Sequence, residues 1–130
     1  IKADDPEAVI ATLTLSSLNK ALNVMAEFQV VCQTAEIAVG DAKCFEINGK
    51  RIGVYHLTEG YYAIEDPCPH AGASLVQGCI VGDAIRCRIH HWEFGIKDGL
   101  CREQHFTQHN VRSYEVRVLN DEVAIRTPLA

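Results

Sequence analysis

Asn48-Gly49 lies between two alternating apolar runs, 43–47 and 51–57, and no other feature constrains this chain so tightly. A type I′ turn needs positive φ at both central residues, which Asn-Gly supplies at little cost, so the segment is predicted to be an antiparallel hairpin. The same punctuation recurs along the chain. Residues 28–32 read as a first strand, Gly60 ends the run at 51–57, and 61–65 begins another. Short strands are expected at 84–87 and 94–96, with Asp98-Gly99 as a tight turn. Residues 114–118 and 123–125 alternate around Asn120-Asp121 and predict a closing hairpin. From residue 27 onward the expectation is all-β and antiparallel.

Residues 1–26 follow another rule. Asp5-Pro6-Glu7 places an N-cap acid, a proline at the first helical position and an acid in the first turn. Ala11, Leu15, Leu18, Leu22 and Met25 then recur at spacings of four and three, which predicts a helix in an N-terminal extension. Its apolar stripe has two uses, packing on its own domain or a contact with a partner or a second copy.

Bulk properties narrow the class. With 130 residues, 48% of them hydrophobic, the chain can build one ordinary core. A net charge of −5 without a run of Lys and Arg argues against nucleic acid as partner. No stretch reaches the roughly 18 apolar residues of a membrane span, and the N-terminus lacks a basic start followed by an apolar block. The expected location is the cytoplasm.

Between residues 66 and 92 the periodicity gives way to Pro, Gly, Cys and His. Cys68-Pro69-His70 is a C-x-H motif and Cys87-Arg88-Ile89-His90 a C-x-x-H motif, with sixteen residues between His70 and Cys87. Two thiolates and two imidazoles suit zinc or an iron–sulfur cluster, not calcium or magnesium. Zinc fingers pair C-x₂₋₄-C with H-x₃₋₅-H, and neither half is present; the H-x-E and P-C-x-x-C of zinc deaminases are absent too.

The segment resembles the Rieske iron–sulfur proteins. Residues 68–75 match the first cluster loop and 87–94 the second, and the resemblance, which includes Gly78, Gly82 and Asp98-Gly99, covers roughly 28–127. It implies one 2Fe–2S cluster, with Cys68 and Cys87 on one iron and His70 and His90 on the other. The implied fold is an antiparallel, sandwich-like basal β-domain spanning 27–130, with an inserted cluster-binding subdomain at about 66–96. Two positions depart from the pattern: relatives commonly have Pro at 88 and Gly at 91, where this chain has Arg88 and His91.

Respiratory members carry an extra disulfide between the loops, and Ala73 and Ile89 stand at the matching positions, so that bridge cannot form. Those high-potential members also place Ser and Tyr hydroxyls where this chain has Trp92 and Phe94. Hydrogen bonds to the sulfurs stabilise the reduced state, so a low potential is expected.

Cys32 and Cys44, in predicted strands, read as buried thiols; Cys79 and Cys101 have no motif spacing, and His105 and His109 fall in a polar stretch expected to be a surface loop. The resemblance implies an electron-transfer component more than a free-standing enzyme: a carrier taking electrons from a flavin reductase to a terminal oxygenase or reductase. The alternative is the cluster-bearing small subunit of an assimilatory nitrite reductase-type complex. A chain of this length has no second domain for mononuclear iron, which argues against a complete oxygenase.

Overall fold

The computed structural model describes residues 28–69, 72–89, 91–103 and 109–126. The helix expected within 1–26, the ligand candidates His70 and His90, and His105 lie outside the described residues. Among those described there are ten strands, two 3-10 turns (Thr34–Glu36 and Leu75–Gln77) and no α-helix.

Three antiparallel sheets form. In the first, β1 (Phe28–Gln33) pairs with β10 (Glu122–Arg126), which pairs with β9 (Val116–Leu119). The second runs β2 (Ala42–Ile47), β3 (Lys50–Leu57), β4 (Gly60–Glu65), β8 (Ser113–Tyr114). The third runs β5 (Cys79–Val81), β6 (Ala84–Arg86), β7 (Glu93–Gly95).

The β2–β3 hairpin closes at Asn48 and Gly49 with φ of 51° and 79°, the type I′ geometry its sequence predicts. The β9–β10 hairpin closes at Asn120 and Asp121 with φ of 51° and 64°, so it needs no glycine. Asn and Asp are the side chains that enter the left-handed region most readily.

The side-chain parity of β3 explains the layering. Ile52 and Val54 point into a core shared with Cys32, Val123 and Ile125 of the first sheet. Tyr55 and Leu57 point into the other core, with Ile85 and Phe94 of the third sheet. Adjacent β4 residues divide the same way, Ala63 to the first core and Ile64 to the second. A strand buried on both faces reads as a near-continuous apolar run, as 52–57 does. The second sheet is thus a central layer, with the first sheet as its basal partner and the third sheet on its opposite face.

Two elements differ from the sequence reading. The run at 114–118 is divided at Glu115: Tyr114 pairs with Ala63 of β4, whereas Val116 pairs with Ile125 of β10. The chain passes from one sheet to another without interrupting its alternation, so the pattern shows one strand where there are two. Strand β5 has no counterpart in the sequence pattern; it is three residues long and joins β6 across a turn at Gly82, φ 63°.

Candidate cluster site

The two Cys motifs fold into the same loop twice. Pro67 pairs with Ser74 at the base of the first loop, and Arg86 with Glu93 at the base of the second. Inside each base the cysteine N–H donates to the carbonyl five residues on: Cys68 to Ala73 and Cys87 to Trp92, both 2.8 Å. The residue four after each cysteine donates back to its carbonyl, Gly72 to Cys68 at 2.6 Å and His91 to Cys87 at 2.9 Å. That fourth residue has positive φ in both loops, 72° at Gly72 and 64° at His91.

His91 therefore adopts the backbone that glycine adopts in the twin loop. The loss of glycine there leaves the turn intact, at the steric cost of holding a side chain in the left-handed region. Replacing it, His91→Gly, is expected to raise stability by about 0.5–1 kcal/mol, measured as a higher denaturation midpoint in urea.

Both thiols are buried: Cys68 is 1% exposed and Cys87 fully enclosed. They belong to one apolar cluster with Tyr55, Leu75, Phe94 and Ile96. Phe94 and Leu75 hold matching places after the two loops, each seven residues from its cysteine, and neither is exposed. Neither thiol is in a disulfide. The fit to a 2Fe–2S group lies in this donor set: two soft sulfur donors, withdrawn from water and presented by matched backbone turns. The described residues hold only two of the four ligand candidates and gather no group of three metal-binding side chains.

One carboxylate organises the first loop. Asp66, 0% exposed, accepts from the Ser74 hydroxyl (2.5 Å) and the Val76 N–H (3.0 Å) and pairs with Arg51 (3.3 Å). Its own N–H donates to the Arg51 carbonyl and its carbonyl accepts from the Leu75 N–H. Asp66 thus ties both flanks of the loop to β3. Gly53 of β3 leaves the room, since a Cβ there would lie 2.7 Å from Val76 and 3.3 Å from the Asp66 carboxylate.

The other thiols lie outside the two turns. Burial pushes Cys44 up to about 11, with the Asp66 charge adding to it, and burial followed by Glu36 raises Cys32. Cys79 is exposed on β5, and Cys101 is buried beside β7, its N–H donating to the Asn110 side chain. His109, expected to be an unremarked loop residue, packs edge-on against Trp92 with ring centroids 5.4 Å apart.

A cleft of about 360 Å³ opens beside the second loop, lined by Gln77, Gly78, Cys79, Arg86, Cys87, Arg88 and His91. Arg86 is fixed there by two bonds from its guanidinium to Glu93, 3.1 and 2.8 Å.

Comparison with known proteins agrees with this geometry. The Rieske [2Fe-2S] domain model matches residues 27–115. A cholesterol 7-desaturase (nvd) of Xenopus laevis is 46% identical over 55 residues, 41% of this chain but only 12% of that protein's length. The ferredoxin component of the naphthalene 1,2-dioxygenase/salicylate 5-hydroxylase systems of a Ralstonia species is 28% identical over 91 residues, covering 70% of this chain and 86% of the ferredoxin. Among solved structures, the complex of reduced oxygenase and oxidized ferredoxin in carbazole 1,9a-dioxygenase contains a chain 27% identical, TM-score 0.70, covering 80% of this chain and 98% of that one. A protein assigned as the NADH-dependent nitrite reductase small subunit of Mycobacterium tuberculosis has the same fold at 22% identity, TM-score 0.69, with 79% and 96% covered. This chain belongs to the Rieske [2Fe-2S] domain family and carries that family's one 2Fe–2S cluster.

Proposed function

We propose that the protein is a one-electron carrier of the Rieske ferredoxin kind, passing electrons from a reductase to a terminal oxygenase, with Cys68 and Cys87 ligating one iron and His70 and His90 the other. The observation that carries this reading is the repeated loop: two buried thiols at equivalent places of two turns with the same backbone hydrogen bonding. The ferredoxin relative is matched over most of its length, which supports the carrier reading. When bound, the cluster supplies a centre that takes up and gives back one electron.

The chain's own residues do the rest. Cys68 and Cys87 keep their sulfurs out of water, in turns closed by hydrogen bonds from and to their own backbone. Phe94, fully buried, brings no hydroxyl to the sulfurs. The four remaining cysteines are unpaired, as suits a reducing compartment such as the cytoplasm. The nitrite reductase small-subunit reading rests on fold likeness alone and ranks second; co-purification with a large sirohaem protein would reverse the order.

The test is absorption and EPR spectroscopy of freshly purified protein before and after dithionite, with iron and sulfide assays and a redox titration. A rhombic signal on reduction, with two irons and two sulfides per chain, is expected. The midpoint is expected near the low end of the Rieske range of about −150 to +300 mV. Zinc without sulfide would overturn the cluster assignment, and a midpoint above about +100 mV would overturn the argument from Phe94 and Trp92.

A further inference from the structure

We propose that the cleft beside the second loop is a docking notch for a carboxylate side chain of the redox partner protein. The inference rests on the carrier reading and names a chemistry by which the partner is recognised.

The two loops provide an internal control. Their backbones match, yet the residues after each cysteine do not: Pro69 and Gly72 in the first loop stand opposite Arg88 and His91 in the second. The turn itself asks for neither arginine nor histidine. Glycine meets the positive φ of the fourth position without strain, and in the first loop it does so. Strain retained where the fold offers an easier residue points to a use for the side chain. Arg88 and His91 line the same cleft.

The rest of the lining agrees. Among the described residues no carboxylate lines the cleft; Gln77, Arg86, Arg88 and His91 all carry N–H donors. Glu93 offsets the charge of Arg86, but Arg88 is exposed and makes no ion pair with any described residue. A guanidinium without an ion pair among the described residues, in a chain of net charge −5, is a local reversal of the prevailing field. Guanidinium is the side chain best matched to a carboxylate, which it grips with two parallel N–H donors. The cleft's position fits electron exchange, because a carboxylate seated there holds the partner against the loop that carries Cys87.

The experiment uses the loaded protein, reduced with dithionite and mixed at low salt with either Fe(III)–EDTA, an anionic carboxylate complex, or hexaammineruthenium(III), a cation. Arg88→Glu is expected to slow oxidation by Fe(III)–EDTA by about threefold or more and not to slow oxidation by hexaammineruthenium. A hexaglutamate peptide is expected to slow the Fe(III)–EDTA reaction of the unaltered chain and not of the variant. Arg88→Gln carries the same comparison should Arg88→Glu take up no cluster. If both oxidants respond alike, or neither responds, the notch does not select carboxylates and the inference falls. If inorganic phosphate at matched ionic strength protects as well as hexaglutamate, the cleft is a site for free anions, which also overturns it. A chain that takes up no reducible cluster overturns the carrier reading and this inference together, whereas a loaded chain without charge preference overturns this inference alone.

Discussion

Cys87→Ala, and separately Cys68→Ala, are expected to yield protein with background iron and sulfide and no EPR signal after dithionite, while Cys79→Ser keeps a full cluster. A thiol serves a metal only as thiolate, and only where the backbone brings it to the site. Cys68 and Cys87 occupy matched turns, while Cys101 of the same apolar cluster lies outside those turns, so on the proposed ligation losing either removes a ligand that the turns present at no other thiol. Cys44, held up near 11 by burial, stays protonated at neutral pH and belongs to β2 on the central sheet. Cys79 is exposed on β5 and lies outside the turns. Because a group bound only by the folded chain stabilises it, the two alanine variants should also unfold at lower temperature than the loaded protein. A fully loaded Cys87→Ala variant would remove Cys87 from the ligand set.

What the sequence revealed, and what it hid, follows from the range of the interactions. Asn48-Gly49 and Asn120-Asp121 announced their hairpins because a turn is decided by the φ preferences of two adjacent residues. The Cys and His motifs were legible for a similar reason, as ligand chemistry concentrated in short spacings. Strand β5 was hidden because three residues, Cys79–Val81, are too few to show a period. Its existence depends on pairing with β6 across Gly82. The break at Glu115 was hidden because alternation continues through it, and only the identity of the partner strands changes. Asp66 opens the stretch where periodicity gives way, and no local pattern marks its carboxylate as buried, because the contacts that bury it go to residues 8 and 10 positions later and to Arg51. The doubling of the loop was present in the sequence all along: setting Cys87 over Cys68 puts His91 over Gly72. Only the shared hydrogen bonds and the shared positive φ give that alignment physical meaning.

Asp66→Ala is expected to lower stability by about 2–4 kcal/mol, roughly 10–20 °C in thermal midpoint for a domain of this size, and to weaken retention of the cluster. The cost does not come chiefly from the ion pair. Arg51 is 46% exposed at its side chain, so once released its guanidinium is rehydrated. The Ser74 hydroxyl and the Val76 N–H are part-buried donors, and each left without an acceptor costs about 1–3 kcal/mol. Since these donors flank the first loop on the side away from β4, their release frees residues 72–76 from β3 and loosens the turn that presents Cys68. Three variants separate the contributions. Arg51→Met should cost less than Asp66→Ala, about 1–2 kcal/mol, because it takes a counter-charge from a buried carboxylate but leaves both donors satisfied. Asp66→Asn should fall between, since one oxygen remains as acceptor while the amide NH₂ faces a donor. If Arg51→Met proves as damaging as Asp66→Ala in urea denaturation, the charge pair holds the loop, and the account of Asp66 as an acceptor for two flanking donors is wrong.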